Sequence, residues 1–177
     1  ADTFPTWSNT PVGDRAAALE RLADLLEANY GELMALCHRE AGKTLQDSID
    51  EIREAVDFCR YYAVQARLAM NGTISMPSFD GSTMEIKREG RGVFVCISPW
   101  NFPLAIFLGQ ISAALAAGNT VIAKPAEQTS IIAFRAIQMM LEAGIPAGAI
   151  QLITGEGATL GGPLTSDNRV AGVAFTG

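Results

Sequence analysis

Val93-Phe94-Val95-Cys96-Ile97-Ser98-Pro99-Trp100-Asn101-Phe102-Pro103 is a short apolar run that breaks into polar and ring-bearing residues. The same change recurs where Thr120 to Ala123 runs into Lys124-Pro125-Ala126-Glu127. Short apolar runs bounded by turn signals read as buried strands. Between them, Phe102 to Ala117 reads as a buried helix closed by Gly118-Asn119. Further on, Thr129 or Ser130 can cap a helix that ends near Gly144. Ala149 to Thr154 reads as a third strand, Gly157 to Ser166 as a short helix, and Val170 to Phe175 as a fourth strand. This alternation predicts an α/β fold with a doubly wound, Rossmann-like parallel sheet. Such sheets bind ligands at the carboxyl ends of their strands, which is where both polar clusters fall.

Upstream, the pattern is helical. Residues 1 to 10 read as an irregular arm, and Pro11 suits a first helical turn with Thr10 as its cap. Leu19, Leu22, Leu26, Tyr30 and Leu33 recur at helical spacing, with Gly31 as a kink or break. Leu45, Ile49, Ile52, Val56, Cys59, Ala63 and Ala66 form a second, stronger stripe. Asp50, Glu51, Arg53, Glu54 and Asp57 fall mostly on its other faces and read as solvated. Residues 11 to 70 are thus expected to form an N-terminal helical layer that precedes the sheet. Asn71-Gly72, Pro77 and Asp80-Gly81 are turn signals, with short strands expected at 73 to 76 and 83 to 88.

Composition narrows the function. A formal net charge of −6 with no basic run argues against nucleic acid and anionic membrane as partners. The longest apolar stretch, Leu104 to Ala117, is interrupted by Gly109, Gln110 and Ser112. It falls short of the roughly 20 residues of a membrane span. Three cysteines, Cys37, Cys59 and Cys96, have no metal-ligand spacing, so no metal site and a reducing, cytoplasmic setting are expected. The polar start carries no signal-peptide pattern. It also lacks Met, consistent with processing or with a piece of a longer chain.

Some motifs point elsewhere on first sight. Gly42-Lys43-Thr44 resembles the end of a phosphate-binding loop, but Cys37 stands where that motif needs glycine and no strand precedes it. A helix-ending glycine is the better reading. Gly155-Glu156-Gly157-Ala158-Thr159-Leu160-Gly161 nearly matches a dinucleotide fingerprint, with its third glycine one residue late and no acidic residue about 20 positions on. It is either a tight turn or a backbone surface close to a cofactor. His38, the one histidine, has no relay partner and reads as structural or surface. None of the cysteines sits at a turn or helix N-terminus that would make it nucleophilic.

Pro99-Trp100-Asn101-Phe102-Pro103, Lys124-Pro125-Ala126-Glu127 and Phe175-Thr176-Gly177, in this order, resemble the aldehyde dehydrogenase superfamily over nearly the whole chain. Arg39-Glu40-Ala41-Gly42-Lys43-Thr44, Arg53-Glu54-Ala55-Val56-Asp57-Phe58 and Val95-Cys96-Ile97-Ser98 are similar to the L-glutamate γ-semialdehyde (1-pyrroline-5-carboxylate) dehydrogenase domain of bifunctional proline utilization enzymes. The resemblance implies that Asn101 donates its amide to the oxyanion formed from the aldehyde, although a helix cap would also suit it. It implies that Lys124 and Glu127 hold the adenosine ribose of NAD, a carboxylate being unsuited to the 2′-phosphate of NADP. The plainer reading there is a surface ion pair beside a turn. Ile97, Ser98, Pro99 and Trp100 would wall the cofactor. Gly157 and Gly161 would approach its adenine side, and Phe175, Thr176 and Gly177 would begin a turn at the pyrophosphate and nicotinamide.

On this resemblance, residues 1–90 are the helical layer with its strand and turn segment. Residues 91–177 are an incomplete NAD-binding domain. The family's nucleophilic cysteine lies downstream, so the chain alone is expected to be inactive, its parent being a homo-oligomer that takes a small aldehyde. The alternative is a truncated, non-catalytic relative that binds a nucleotide or a partner.

Overall fold

The computed structural model describes residues 2–177. Pro5 starts a short helix α1 (Phe4–Ser8) where an irregular arm was expected, because the Trp7 ring is buried and its indole Nε1 donates to Leu115 O at 3.2 Å. Helix α2 (Val12–Ala28) begins one residue after Pro11, which occupies the cap position itself. Thr10 does not cap it; its hydroxyl donates back to Thr6 O. The expected break at Gly31 lies instead at Asn29, whose non-helical backbone separates α2 from α3 (Tyr30–Ala41). Gly42 closes α3 with φ 64°, a left-handed conformation that favours glycine, as the helix-ending reading requires. Thr44 then caps α4 (Leu45–Met70) by accepting the Asp47 N–H.

The α4 stripe holds from Ile52 to Ala66, all five of Ile52, Val56, Cys59, Ala63 and Ala66 being buried, while Leu45 at its start faces solvent. One charged residue departs from the solvated face. Glu51 is buried, together with Ser48 one turn earlier. After α4, β1 (Thr73–Met76) and β2 (Met84–Lys87) form an exposed antiparallel hairpin at the expected places.

The main sheet contains β3 (Val93–Ile97), β4 (Thr120–Lys124), β5 (Ile150–Leu152) and β6 (Val170–Phe175), all parallel, in the spatial order β5-β4-β3-β6. Helices α5 (Ala105–Ala116) and α6 (Ser130–Glu142) make the first two crossovers, and α7 (Gly157–Ser166) makes the third. Phe94 and Cys96 pair in register with Val121 and Ala123, so these four share the face that packs on α5 and α6. Ile122 and Val170 meet Leu160, Pro163 and Leu164 of α7 around a cavity of about 380 Å³ on the opposite face. The sheet is therefore doubly wound. At Gly172 a Cβ would fall 2.5 Å from the Phe94 ring, so only glycine lets β6 lie against β3 there.

The N-terminal layer and the sheet share one apolar cluster, with Leu19, Leu22, Ile52, Phe107, Leu108, Ile111 and Ile132 among its fully buried members. Gly109 allows α5 to approach α4 closely, since a Cβ there would stand 2.9 Å from Phe58. Polar bonds tie the two parts as well. The Arg15 guanidinium is buried and donates to Ala116 O at the end of α5, and to Ser8 O and Thr10 O. Arg21 Nε donates to Ala143 O, just past α6, at 2.8 Å. Among the described residues no helix is long and apolar enough to cross a membrane.

Candidate active site

The chain leaves β3, moves sideways to β4 and β5, and then returns to place β6 on the other side of β3. That reversal opens a crevice at the carboxyl ends of the strands, the usual ligand position in doubly wound sheets. Here it is a cleft of about 660 Å³. Its walls are the segments that follow three strands: Ile97 to Phe102 after β3, Lys124 with Ala126 to Gln128 after β4, and Phe175 to Gly177 at β6. Two segments far apart in sequence thus meet because their strands are neighbours. Ser98 N–H donates to Lys124 O at 3.2 Å, and Thr176 N–H donates to Ile97 O at 3.0 Å. Those bonds extend the sheet ladder one step into the cleft.

Helix α5 begins at Ala105 rather than Phe102, because Pro103 and Leu104 still belong to the loop. Asn101 is exposed and does not cap the helix. Glu51 does so from α4: its Oε1 accepts the N–H groups of Leu104 at 2.9 Å and Ala105 at 2.8 Å. Its Oε2 faces Lys43 Nζ at 2.7 Å. The same substitution of a distant carboxylate for a local cap occurs at α6. Neither Thr129 nor Ser130 caps it through its side chain; Glu40 of α3 accepts the N–H groups of Ile131 and Ile132 at 2.9 and 2.7 Å. Asn101 is therefore free of helix duty, and its amide can serve a ligand.

Lys124 is buried although it ends a strand. Its ammonium donates to Pro125 O at 3.1 Å and stands 4.0 Å from Glu127 Oε2, at the limit of an ion pair. A buried ammonium with one carbonyl partner retains N–H groups for a ligand oxygen. Glu127, in a single 3-10 turn (Glu127–Thr129), is exposed at the rim and can accept hydroxyl hydrogens. The Ser98 hydroxyl is buried without a protein partner. These groups suit a neutral, hydroxyl-rich moiety, and an exposed rim of Trp100, Phe102 and Phe175 offers flat apolar surface beside them. The residues present thus fit a ribose-containing cofactor.

Ile97, Ser98, Pro99, Trp100, Asn101, Lys124, Glu127, Phe175, Thr176 and Gly177 are brought together. Gly157 and Gly161 are not among the walls; they lie on α7, and a Cβ at either would meet open space. Sequence reasoning missed Gln110, whose Nε2 donates to Thr176 Oγ1 at 3.0 Å and ties α5 to the turn after β6. It also missed Glu51. A signal existed, since Glu51 sits between Ser48, Ile52 and Ala55 on the buried stripe, eight positions after Lys43, where a charge needs a partner.

None of the three thiols belongs to the cleft. Cys37, Cys59 and Cys96 are buried, and loss of solvation pushes each up to about 12. Neutral buried thiols are poor nucleophiles. His38 lies on the surface, its Nδ1 3.0 Å from Lys43 O. Among the described residues no cluster of His, Cys, Asp or Glu could hold a metal ion.

Comparison with known proteins identifies relatives of the chain. The sequence model of the aldehyde dehydrogenase family matches residues 1–177. The chain is 55% identical to the bifunctional protein PutA of Klebsiella aerogenes over 98% of its own length and 12% of that protein's. It is 40% identical to the 1-pyrroline-5-carboxylate dehydrogenase of Anoxybacillus flavithermus, covering 98% of this chain and 34% of that one. The crystal structure of PnpE in complex with nicotinamide adenine dinucleotide superposes with a TM-score of 0.93 at 32% identity, over 98% of this chain and 36% of PnpE. The chain spans about an eighth of the curated bifunctional proteins it resembles. It belongs to the aldehyde dehydrogenase family.

Proposed function

We propose that the chain is the N-terminal, cofactor-binding part of an NAD-dependent aldehyde dehydrogenase that oxidises L-glutamate γ-semialdehyde to glutamate in proline catabolism. The observation that carries this reading is the meeting of Asn101, Lys124 and Glu127 on one cleft at the sheet's switch point. The similarity to a 1-pyrroline-5-carboxylate dehydrogenase supports the substrate, and the nucleotide complex of PnpE supports the cofactor. Residues 91–177 supply the cleft, and residues 1–90 supply the layer that braces it.

NAD, when bound, would supply the hydride acceptor. The chain's own residues bind and orient. Lys124 donates to a ribose hydroxyl oxygen while Glu127 accepts ribose hydroxyl hydrogens. The same carboxylate opposes a 2′-phosphate through charge repulsion. Asn101 is a neutral donor whose amide would stabilise the oxygen that gains negative charge when a nucleophile adds to the aldehyde. Loss of one such donor costs about 100- to 1,000-fold in rate. Gly157 and Gly161 of α7, outside the cleft walls, would leave room on the adenine side. The nucleophile itself is not one of the three buried thiols, so the chemistry needs the rest of the enzyme. The parent enzyme is expected to be a homo-oligomer of the cytoplasm.

Calorimetry on the full-length enzyme tests the cofactor assignment. Glu127→Gln should weaken NAD and narrow the preference for NAD over NADP, and Lys124→Ala should weaken both. Unchanged NAD binding in both variants would overturn the assignment. Oxidation of 1-pyrroline-5-carboxylate no faster than of unrelated small aldehydes would overturn the substrate.

A further inference from the structure

We propose that Glu51, held by Lys43, is a positioning residue that sets the placement of Asn101, a role that rests on the assignment of Asn101 given above. The Glu51 side chain is fully buried in the middle of the helical layer. One of its oxygens takes two backbone N–H groups of the loop that carries Asn101, and the other takes the Lys43 ammonium at 2.7 Å. Lys43 directly follows the left-handed Gly42, and its Nζ lies 4.3 Å from the centre of the Phe102 ring. The loop is therefore gripped at Phe102, Leu104 and Ala105, immediately after Asn101. On the other side of Asn101 it is pinned by the Ser98–Lys124 backbone bond.

A helix start does not need this arrangement. A Ser, Thr or Asp at position 104 would satisfy the first N–H groups locally. Here that position is a buried Leu, and the cap is an ion pair whose burial is itself costly. A local cap would fix the helix only to its own loop. The distant carboxylate fixes the loop to α4, which is part of the core, and leaves the 98–102 side chains free to face the cleft. Such rigidity matters for an oxyanion donor. Misplacement by about 1 Å costs on the order of 100-fold in rate. Glu40 repeats the device for the segment after Glu127, so the α3–α4 corner braces both walls.

The test uses the full-length enzyme, with kcat at saturating substrates normalised to the titre of active sites. Glu51→Gln keeps an oxygen for the two N–H groups and loses the charge that holds Lys43. It should lower kcat about 10- to 100-fold, with KM for NAD unchanged. Asn101→Ala should lower kcat more. The double variant should be no slower than Asn101→Ala alone, because a residue acting through Asn101 has nothing left to act on. A silent Glu51→Gln, or a penalty that persists in full in the Asn101→Ala background, would overturn the proposal and leave Glu51 a structural cap. A silent Asn101→Ala would overturn the role of Asn101 itself, and the brace with it. Should Glu51→Gln not fold, Phe102→Leu removes the partly exposed ring beside Lys43. It should lower kcat by about 2- to 5-fold, the worth of a cation–π contact, again only when Asn101 is present. An equal loss without Asn101 would count against the brace.

Discussion

Helices α5 and α6 are gripped at both ends by the N-terminal layer, but the two ends do different things. At the amino edge of the sheet, donors meet the last carbonyls: Trp7 and Arg15 on α5, Arg21 beyond α6. At the carboxyl edge, acceptors meet the first N–H groups: Glu51 on α5 and Glu40 on α6. Both follow the helix dipole, cations at the negative end and carboxylates at the positive end. The amino edge leads straight through Gly118-Asn119 into the next strand, so its bonds serve stability. The carboxyl edge is preceded by the segments that wall the cleft, so the same kind of bond there also sets geometry. The carboxylates occupy the two helix N-termini that could otherwise attract an anion.

The comparison can be broken most sharply at Glu51. Glu51→Ala leaves a partly buried ammonium and two helix N–H groups without their acceptor. It should destabilise by about 3–5 kcal/mol, seen in urea unfolding, with faster hydrogen exchange at Leu104 and Ala105. Next comes the amino edge. Arg15→Met removes the donors to three carbonyls and should cost about 1–3 kcal/mol. The distinction between the ends requires NAD affinity measured by calorimetry to stay unchanged in the folded Arg15 variant; a fall would show that the amino edge also sets the cleft.

The thiols offer a milder test, because Cys37, Cys59 and Cys96 lie where layer and sheet meet. Burial raises each from 9.0 to about 12. Below pH 9 the folded and unfolded forms hold these protons alike. Above it only the unfolded form releases them, so stability falls from pH 9 towards 12. Each thiol contributes roughly 1.4 kcal/mol per pH unit at most. Alkylation at pH 8 should label all three only after denaturation. The smallest effect is expected away from both ends. Arg60 pairs with Asp24 and Glu27 in the open. Arg60→Ala should shift stability by less than about 1 kcal/mol, and by less again in high salt.

The parallel strands were legible because each is a short apolar run ended by a turn signal. β6 and α7 fall at their expected bounds, and β3, β4 and β5 within a residue or two of them. Periodicity also found α4, and glycine chemistry found the end of α3. The first ten residues were misread because Trp7 is held by a carbonyl 108 positions away. Thr10, Thr129 and Ser130 were misread as caps because cap rules see only neighbours, and both sheet helices take their caps from α3 and α4. Glu51 was misread for the same reason. A carboxylate in a helix scores as solvated until its partners are known.

The sequence by itself determined which segments form strands and that two polar clusters fall at strand ends, since these depend on order and local chemistry. Only the tertiary structure decided that Asn101 is free of helix capping and that the buried Glu51, paired with Lys43, holds its loop. That outcome depends on where α4 lies against α5, which is a matter of packing between distant helices rather than of any local pattern.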